Sequence, residues 1–290
     1  MKNNMIKDLL NKTKTSLSFE VSPPKTEDEF QALFGKLDVL AALQPDFMSC
    51  TYGAGGSNAG KTIEIASYIQ NHLQIDTIAH MTCVGFKQSD LQKNCELLEK
   101  EGIHYIMALR GDRPQAMGDE QFNSREFLYA SDMIRYLKAK TSFTLAGACY
   151  PEKHYEAASF ESDLMHLKEK VEAGAGFLVT QLFFQNDTFY RFRERAADIG
   201  ITVPVCAGIM PVISARQISK SINLSGSSVP KELENMIARY GENREDMRKA
   251  GIDYAVRQIL DLKEHGVDGI HIYTMNWPKT TAEIVAQISI

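Results

Sequence analysis

Apolar runs recur along the chain about every thirty residues, and nearly every one ends in a polar or reactive side chain. The run ends are Glu20, Thr51, Thr82, Asp112, Tyr150, Gln181, Gly208 and Tyr273, separated by 31, 31, 30, 38, 31, 27 and 65 residues. A strand, a turn and a covering helix consume about thirty residues, so the spacing predicts repeated βα units. Eight such units predict an α/β chain folded as a single (β/α)8 TIM barrel over residues 1–290, whose chemistry gathers at the strand ends.

The predicted strands are Leu17–Val21, Phe47–Thr51, Thr77–Cys83, Tyr105–Leu109, Thr144–Tyr150, Phe177–Gln181, Val203–Gly208 and Gly269–Tyr273. They are near-continuous apolar runs, as parallel strands covered on both faces should be. Pro23 and Pro24 stop the first strand just beyond Glu20. Helices are predicted over Glu27–Ala42 and Tyr129–Lys140, with extra helices around Pro230–Tyr240 and Arg244–His265 filling the long gap before the last strand. The polar stretch Arg113–Arg125 is the candidate lid. Met1–Lys14 lacks a signal-peptide core and reads as a short surface helix of a cytoplasmic protein.

Composition narrows the function classes. The 32 basic and 37 acidic residues give a net charge of −5 with no basic block, which argues against nucleic-acid binding. No uncharged apolar stretch reaches the roughly eighteen residues of a membrane span. The five cysteines show no CxxC spacing, and four lie in or beside strand runs, where a reduced thiol packs as a small hydrophobe. The seven scattered histidines include no HExxH, so no metal is expected.

Gly55-Gly56-Ser57-Asn58-Ala59-Gly60-Lys61-Thr62 fits the phosphate-cradling GxxxxGK[ST] pattern and follows a strand. A nucleotide hydrolase is therefore one alternative. Against it, the motif follows the second strand, and eight units do not describe a doubly wound sheet. A glycine turn at a barrel mouth accounts for the same residues. Glu20, flanked by Phe19, Val21, Pro23 and Pro24, is either a solvated strand-end carboxylate or a desolvated general acid. Asp112 in Arg110-Gly111-Asp112 is either an ion-paired turn or a site residue. His80 on an apolar strand suits a core hydrogen bond as well as a ligand contact. Gln181 interrupts the apolar run Phe177–Phe184, so its amide must bond to backbone or to a ligand.

The strand ends also resemble a known family. Phe19-Glu20 with Pro23-Pro24, Thr51-Tyr52-Gly53-Ala54, His80-x-Thr82-Cys83, Leu109-Arg110-Gly111-Asp112, Tyr150-Pro151-Glu152-x-His154, Thr180-Gln181-x-Phe183-Phe184, Gly208-Ile209-Met210-Pro211 and His271-Ile272-Tyr273-Thr274-Met275-Asn276 occur in that order. Together they resemble methylenetetrahydrofolate reductase, in the extent of its bacterial catalytic form. The resemblance implies an FAD-dependent enzyme that reduces 5,10-methylenetetrahydrofolate to 5-methyltetrahydrofolate by ping-pong hydride transfer, feeding methionine synthesis. It implies NADH or NADPH as donor, or a partner electron-donor flavoprotein, and a homo-oligomeric state.

By the same resemblance FAD is held by Thr51, Tyr52, Ala54, His80, Arg110, Gly111, Asp112, Tyr129, Ala130, Tyr150, His154, Asp163, His166 and Lys170. Glu20 is the implied general acid that opens the methylene bridge. Asp112 is implied to tune the flavin and anchor the pterin, with Gln181 and Gln217 as further substrate contacts. His166 and Glu169 replace an amide and a basic residue common in the family, and Trp277 stands where an arginine is usual. A barrel that binds flavin or pterin without catalysis is the second alternative.

Overall fold

The computed structural model describes residues 10, 14–52, 59–84, 86–114 and 117–289. Eight strands, β1 Ser16–Val21, β2 Phe47–Cys50, β3 Thr77–Thr82, β4 Tyr105–Leu109, β5 Thr144–Cys149, β6 Ala175–Thr180, β7 Val205–Ile209 and β8 Gly269–Tyr273, close into a parallel barrel in chain order. The predicted strands all occur, with ends shifted by a residue or two. β7 starts at Val205 rather than Val203 because Pro204 has no N–H for the ladder. β6 starts early, at Ala175, where a register shift between Leu145 and Ala146 admits an extra residue.

Alternation along each strand separates two apolar layers. Leu17, Phe19 and Val21 of β1, with Met48, Cys50, Ile270 and Ile272, pack outward under the helices. Phe47, Ile78, Tyr105, Met107, Phe177, Val179 and Cys206 form a separate cluster that fills the barrel interior. The helix Glu27–Ala41 shows how the outer layer is built: Phe30, Leu33, Leu37 and Leu40 are buried at helical spacing. Its start is capped by the Thr26 hydroxyl, which accepts from the Glu29 N–H at 3.3 Å.

Leu10 corrects one expectation. The segment 1–14 was expected on the surface; most of it lies outside the described residues, but Leu10 is 3% exposed and joins the interior cluster beside Phe47. An apolar side chain is the physical requirement at the open base of a barrel core. Nearby, Asp46 accepts the Leu17 N–H at 2.8 Å and pairs with Lys14 at 2.9 Å, which fixes where β1 begins.

The two expected extra helices lie between β7 and β8, as Lys231–Tyr240 and Arg244–Glu264, and a further helix, Ala215–Ser225, precedes them. They enclose a third apolar cluster that includes Met210, Val212, Leu233, Met247 and Tyr254. Among the described residues no helix is long and apolar enough to cross a membrane. The helix Arg244–Glu264 approaches the β7 exit so closely that a Cβ at Gly251 would overlap the Val212 carbonyl. Gly251→Ala is therefore expected to destabilise the fold by about 2–3 kcal/mol. Urea unfolding measures this, and an unchanged midpoint would contradict the packing described.

Candidate active site at the barrel mouth

The interior face changes character from base to mouth. One step above Phe47, Ile78 and Gly269 on the same faces stand Ser49, His80 and His271, and Glu20 follows Ser18. Glu20 retains 21% side-chain exposure, while His80 and His271 are buried. Its Oε2 lies 3.9 Å from the Nε2 of each histidine.

The two imidazoles differ in what satisfies them. His271 Nδ1 is 2.7 Å from the Ser18 hydroxyl and its Nε2 is 3.2 Å from the Ser49 hydroxyl. Ser18 also donates to the Ile270 carbonyl at 3.1 Å. With the serine proton on that carbonyl, Nδ1 of His271 is the donor to the Ser18 hydroxyl oxygen. His80 Nε2, by contrast, is a buried nitrogen with no hydrogen-bond partner among the described residues. Burial pulls the His80 pKa down to about 4, against the opposing pull of Glu20. The ring is thus uncharged at neutral pH, and a polar atom is left for a ligand at the mouth.

Around this centre the β4 and β5 exits supply cations and rings. Gly111 sits at φ 80°, where a Cβ would come within 2.8 Å of Thr82 Cβ, so only glycine lets the β4 exit lie against β3. The Arg110 guanidinium forks onto Glu156, with the second contact at 3.1 Å. That cation holds the Glu156 carboxyl down at about 2. His154 packs edge-on to Tyr150 at 4.7 Å, and its backbone N–H is held by Asp163 at 2.9 Å. Burial, reinforced by Arg110, lowers the His154 pKa, and burial raises that of Tyr150. Lys170 donates to the Ala148 carbonyl at 2.5 Å, and burial lowers its ammonium pKa.

The other expected site residues distribute as follows. Thr51 and Tyr52 close the β2 exit, with the Tyr52 ring 5.1 Å from that of Phe86. Ala54 lies outside the described residues. Tyr129 is exposed and its ring stacks 6.5 Å from His166, while Ala130 is buried behind it as the helix Ala130–Lys140 begins. Asp112 is exposed at the β4 exit, close enough for its charge to act on Tyr150. Gln181 Oε1 accepts from the Leu182 N–H at 2.8 Å, which orients the amide and leaves its donors for a ligand. Gln217 is engaged elsewhere: it donates to the Pro211 carbonyl at 2.9 Å and accepts from the Ile213 N–H at 3.0 Å. In this conformation it braces the β7 exit.

Ser18, Ser49, His271 and Glu156 were not among the expected site residues. His271 had a legible signal, since it is the polar position between Gly269 and Tyr273 on the inner face of β8. Glu156 had none, because its partner lies 46 residues away in sequence. The candidate lid carries a short helix, Asp119–Asn123, with Arg125 stacked 3.5 Å from the Phe122 ring.

The phosphate-loop pattern divides at Ala59. Its residues 55–58 lie outside the described part, and Ala59–Ser67 is a helix. Lys61 pairs with Glu27 at 2.9 Å and lies 4.8 Å over the Phe30 ring. The Thr62 hydroxyl donates to the Thr51 carbonyl at 3.1 Å. Both side chains serve the packing of the helix on the barrel.

Comparison with known proteins agrees with this architecture. The chain is 34% identical over 261 residues to 5,10-methylenetetrahydrofolate reductase of Escherichia coli (strain K12), covering 90% of this chain and 86% of that relative. It is 34% identical over 298 residues to methylenetetrahydrofolate reductase (NADH) 1 of Arabidopsis thaliana, covering 98% of this chain. The chain spans about half the length of that plant relative, 50%. A solved structure of an uncharacterized protein from Clostridium thermocellum, which binds two copies of 5-methyl-5,6,7,8-tetrahydrofolic acid, superposes with a TM-score of 0.73. It is 15% identical and covers 98% of this chain and 97% of its own, a likeness of fold. The sequence pattern of methylenetetrahydrofolate reductase matches residues 5–289, and the chain belongs to that family.

Proposed function

We propose that the chain is an FAD-dependent reductase that converts 5,10-methylenetetrahydrofolate to 5-methyltetrahydrofolate with electrons from NADH. The observation that carries this reading is the carboxyl of Glu20 at the mouth, 3.9 Å from a buried, uncharged imidazole whose Nε2 is unpartnered. The names of the Escherichia coli and plant relatives support the substrate, and "(NADH)" in the plant name supports the donor. The product is a methyl-bearing folate of the kind that methionine synthesis consumes.

The residues present suit a large anionic cofactor. Arg110 and Lys170 are local cations on an acidic chain, and Tyr129 with His166 offers a flat ring surface at the rim. The unpartnered His80 Nε2 and the backbone turn at Gly111 suit the close approach of a polar heterocycle. When bound, FAD supplies the two-electron carrier between nicotinamide and folate. Glu20 then places a proton on the folate nitrogen whose bond to the methylene bridge opens. Gln181, whose Oε1 is held by the Leu182 N–H, would offer its amide donors to the ligand at the mouth, and Asp112, exposed at the β4 exit, would accept from a pterin ring. The buried walls of Phe47, Phe177 and Val179 below exclude water from the reacting end.

Glu20→Gln tests this assignment. Anaerobic stopped-flow should show flavin reduction by NADH nearly intact and re-oxidation by methylenetetrahydrofolate slowed about 10²- to 10⁴-fold. Equal losses in both half-reactions would place Glu20 in folding or cofactor binding instead. Asp112→Asn is expected to retain FAD and bind folate more weakly, and recovery of a colourless protein would contradict that. Lys61→Ala should leave turnover little changed, because Lys61 is committed to Glu27; abolished activity would favour a phosphate-loop hydrolase.

A further inference from the structure

Past Glu20 the first strand needs new partners, and the exit of β8 provides them. β1 pairs with β8 up to Glu20 opposite Tyr273. Beyond that point the Glu20 carbonyl accepts both the Thr274 N–H at 3.3 Å and the Thr274 hydroxyl at 2.6 Å. The same hydroxyl oxygen accepts the Asn276 N–H at 3.1 Å. The Asn276 side chain then engages both backbone polar groups of Ser22. Its Oδ1 accepts the Ser22 N–H at 3.1 Å, and its Nδ2 donates to the Ser22 carbonyl at 2.8 Å.

The backbone is bent to allow this. Met275 and Asn276 lie consecutively in the left-handed region, at φ 51° and 57°. Non-glycine residues persist there where their surroundings over-determine them. A carboxamide offers one acceptor and one adjacent donor in a plane whatever the pH, the match to the N–H and C=O of one extended residue. Aspartate would set a second acceptor against the Ser22 carbonyl, and glutamine is a methylene too long for the same seat.

We propose that Asn276, seated on Thr274, is a positioning residue for Glu20: it fixes the backbone beside the acid and so the aim of its carboxyl. The inference rests on Glu20 being the general acid of the proposed reaction. It adds that the acid is aimed from the far end of the chain, across the seam where β8 closes onto β1.

The test uses the flavin-loaded chain with Asn276→Ala, Asn276→Asp and Thr274→Val, the last nearly isosteric should the first two fold poorly. Asn276→Ala is expected to slow the folate half-reaction at saturating folate about ten- to a hundredfold. Folate affinity and flavin reduction by NADH should stay within about twofold, below the effect expected of a misaimed reacting group. Asn276→Asp and Thr274→Val should fall between it and the native chain. Combined with Glu20→Gln, Asn276→Ala should add almost nothing, since two residues acting through one group are not additive. Hydrogen exchange at the Ser22 amide should accelerate in Asn276→Ala even in the flavin-free protein.

Full additivity with Glu20→Gln, equal slowing of both half-reactions, or unchanged Ser22 exchange overturns the proposal. A Glu20→Gln variant with a normal folate half-reaction overturns the underlying reading of Glu20 and the proposal with it. Accelerated Ser22 exchange in that case would show that the clamp exists and serves the seam alone.

Discussion

A carboxyl on the inner face of a closed barrel can meet water only at the mouth, and that constraint organises this molecule. Toward the base the inner face turns apolar, with Phe47, Ile78, Met107 and Phe177, and desolvating a charge there would cost several kcal/mol. The strand-end position keeps Glu20 21% exposed while His80 and His271 stand beneath it. The serine–histidine bonds at 2.7 and 3.2 Å satisfy the buried imidazole of His271 without involving the carboxyl. The acid is therefore supported by its neighbours and remains open to a ligand.

Charge at the rim follows a related logic. The chain is acidic overall, yet Arg110 and Lys170 sit at the β4 exit and behind β5. Arg110 is already forked onto Glu156, so a phosphate arriving there exchanges one anion for another. The fork onto Glu156 fixes the orientation of the guanidinium. Lys170 is held by a backbone carbonyl, and the lowered pKa that burial gives it marks a cation that a nearby anion would stabilise.

What was legible in the sequence was local. The strand beat placed all eight strands, because parallel strands covered on both faces leave apolar runs, and the stop at Pro23 and Pro24 placed Glu20 near the mouth. The glycine of Arg110-Gly111-Asp112 proved to be needed by its φ of 80°. What was not legible depends on closure. Ser18 meets His271 across 253 residues, and Ser22 meets Asn276 across 254, contacts that exist only once β8 docks on β1. Leu10 was misplaced for the same reason, since a charged and amide-rich segment gives no hint that one leucine plugs the barrel base. The loop bonds of the Gln217 amide, at 2.9 and 3.0 Å, likewise form only once the β7 exit has folded back on itself.

The most direct test of the account is an absorption spectrum of the purified chain followed by anaerobic titration, first with NADH and then with methylenetetrahydrofolate. The expected result is a yellow protein that NADH bleaches and that the folate restores to full colour, with methyltetrahydrofolate formed in proportion. A protein that stays colourless after incubation with FAD, or one that NADH bleaches and the folate leaves bleached, would contradict it.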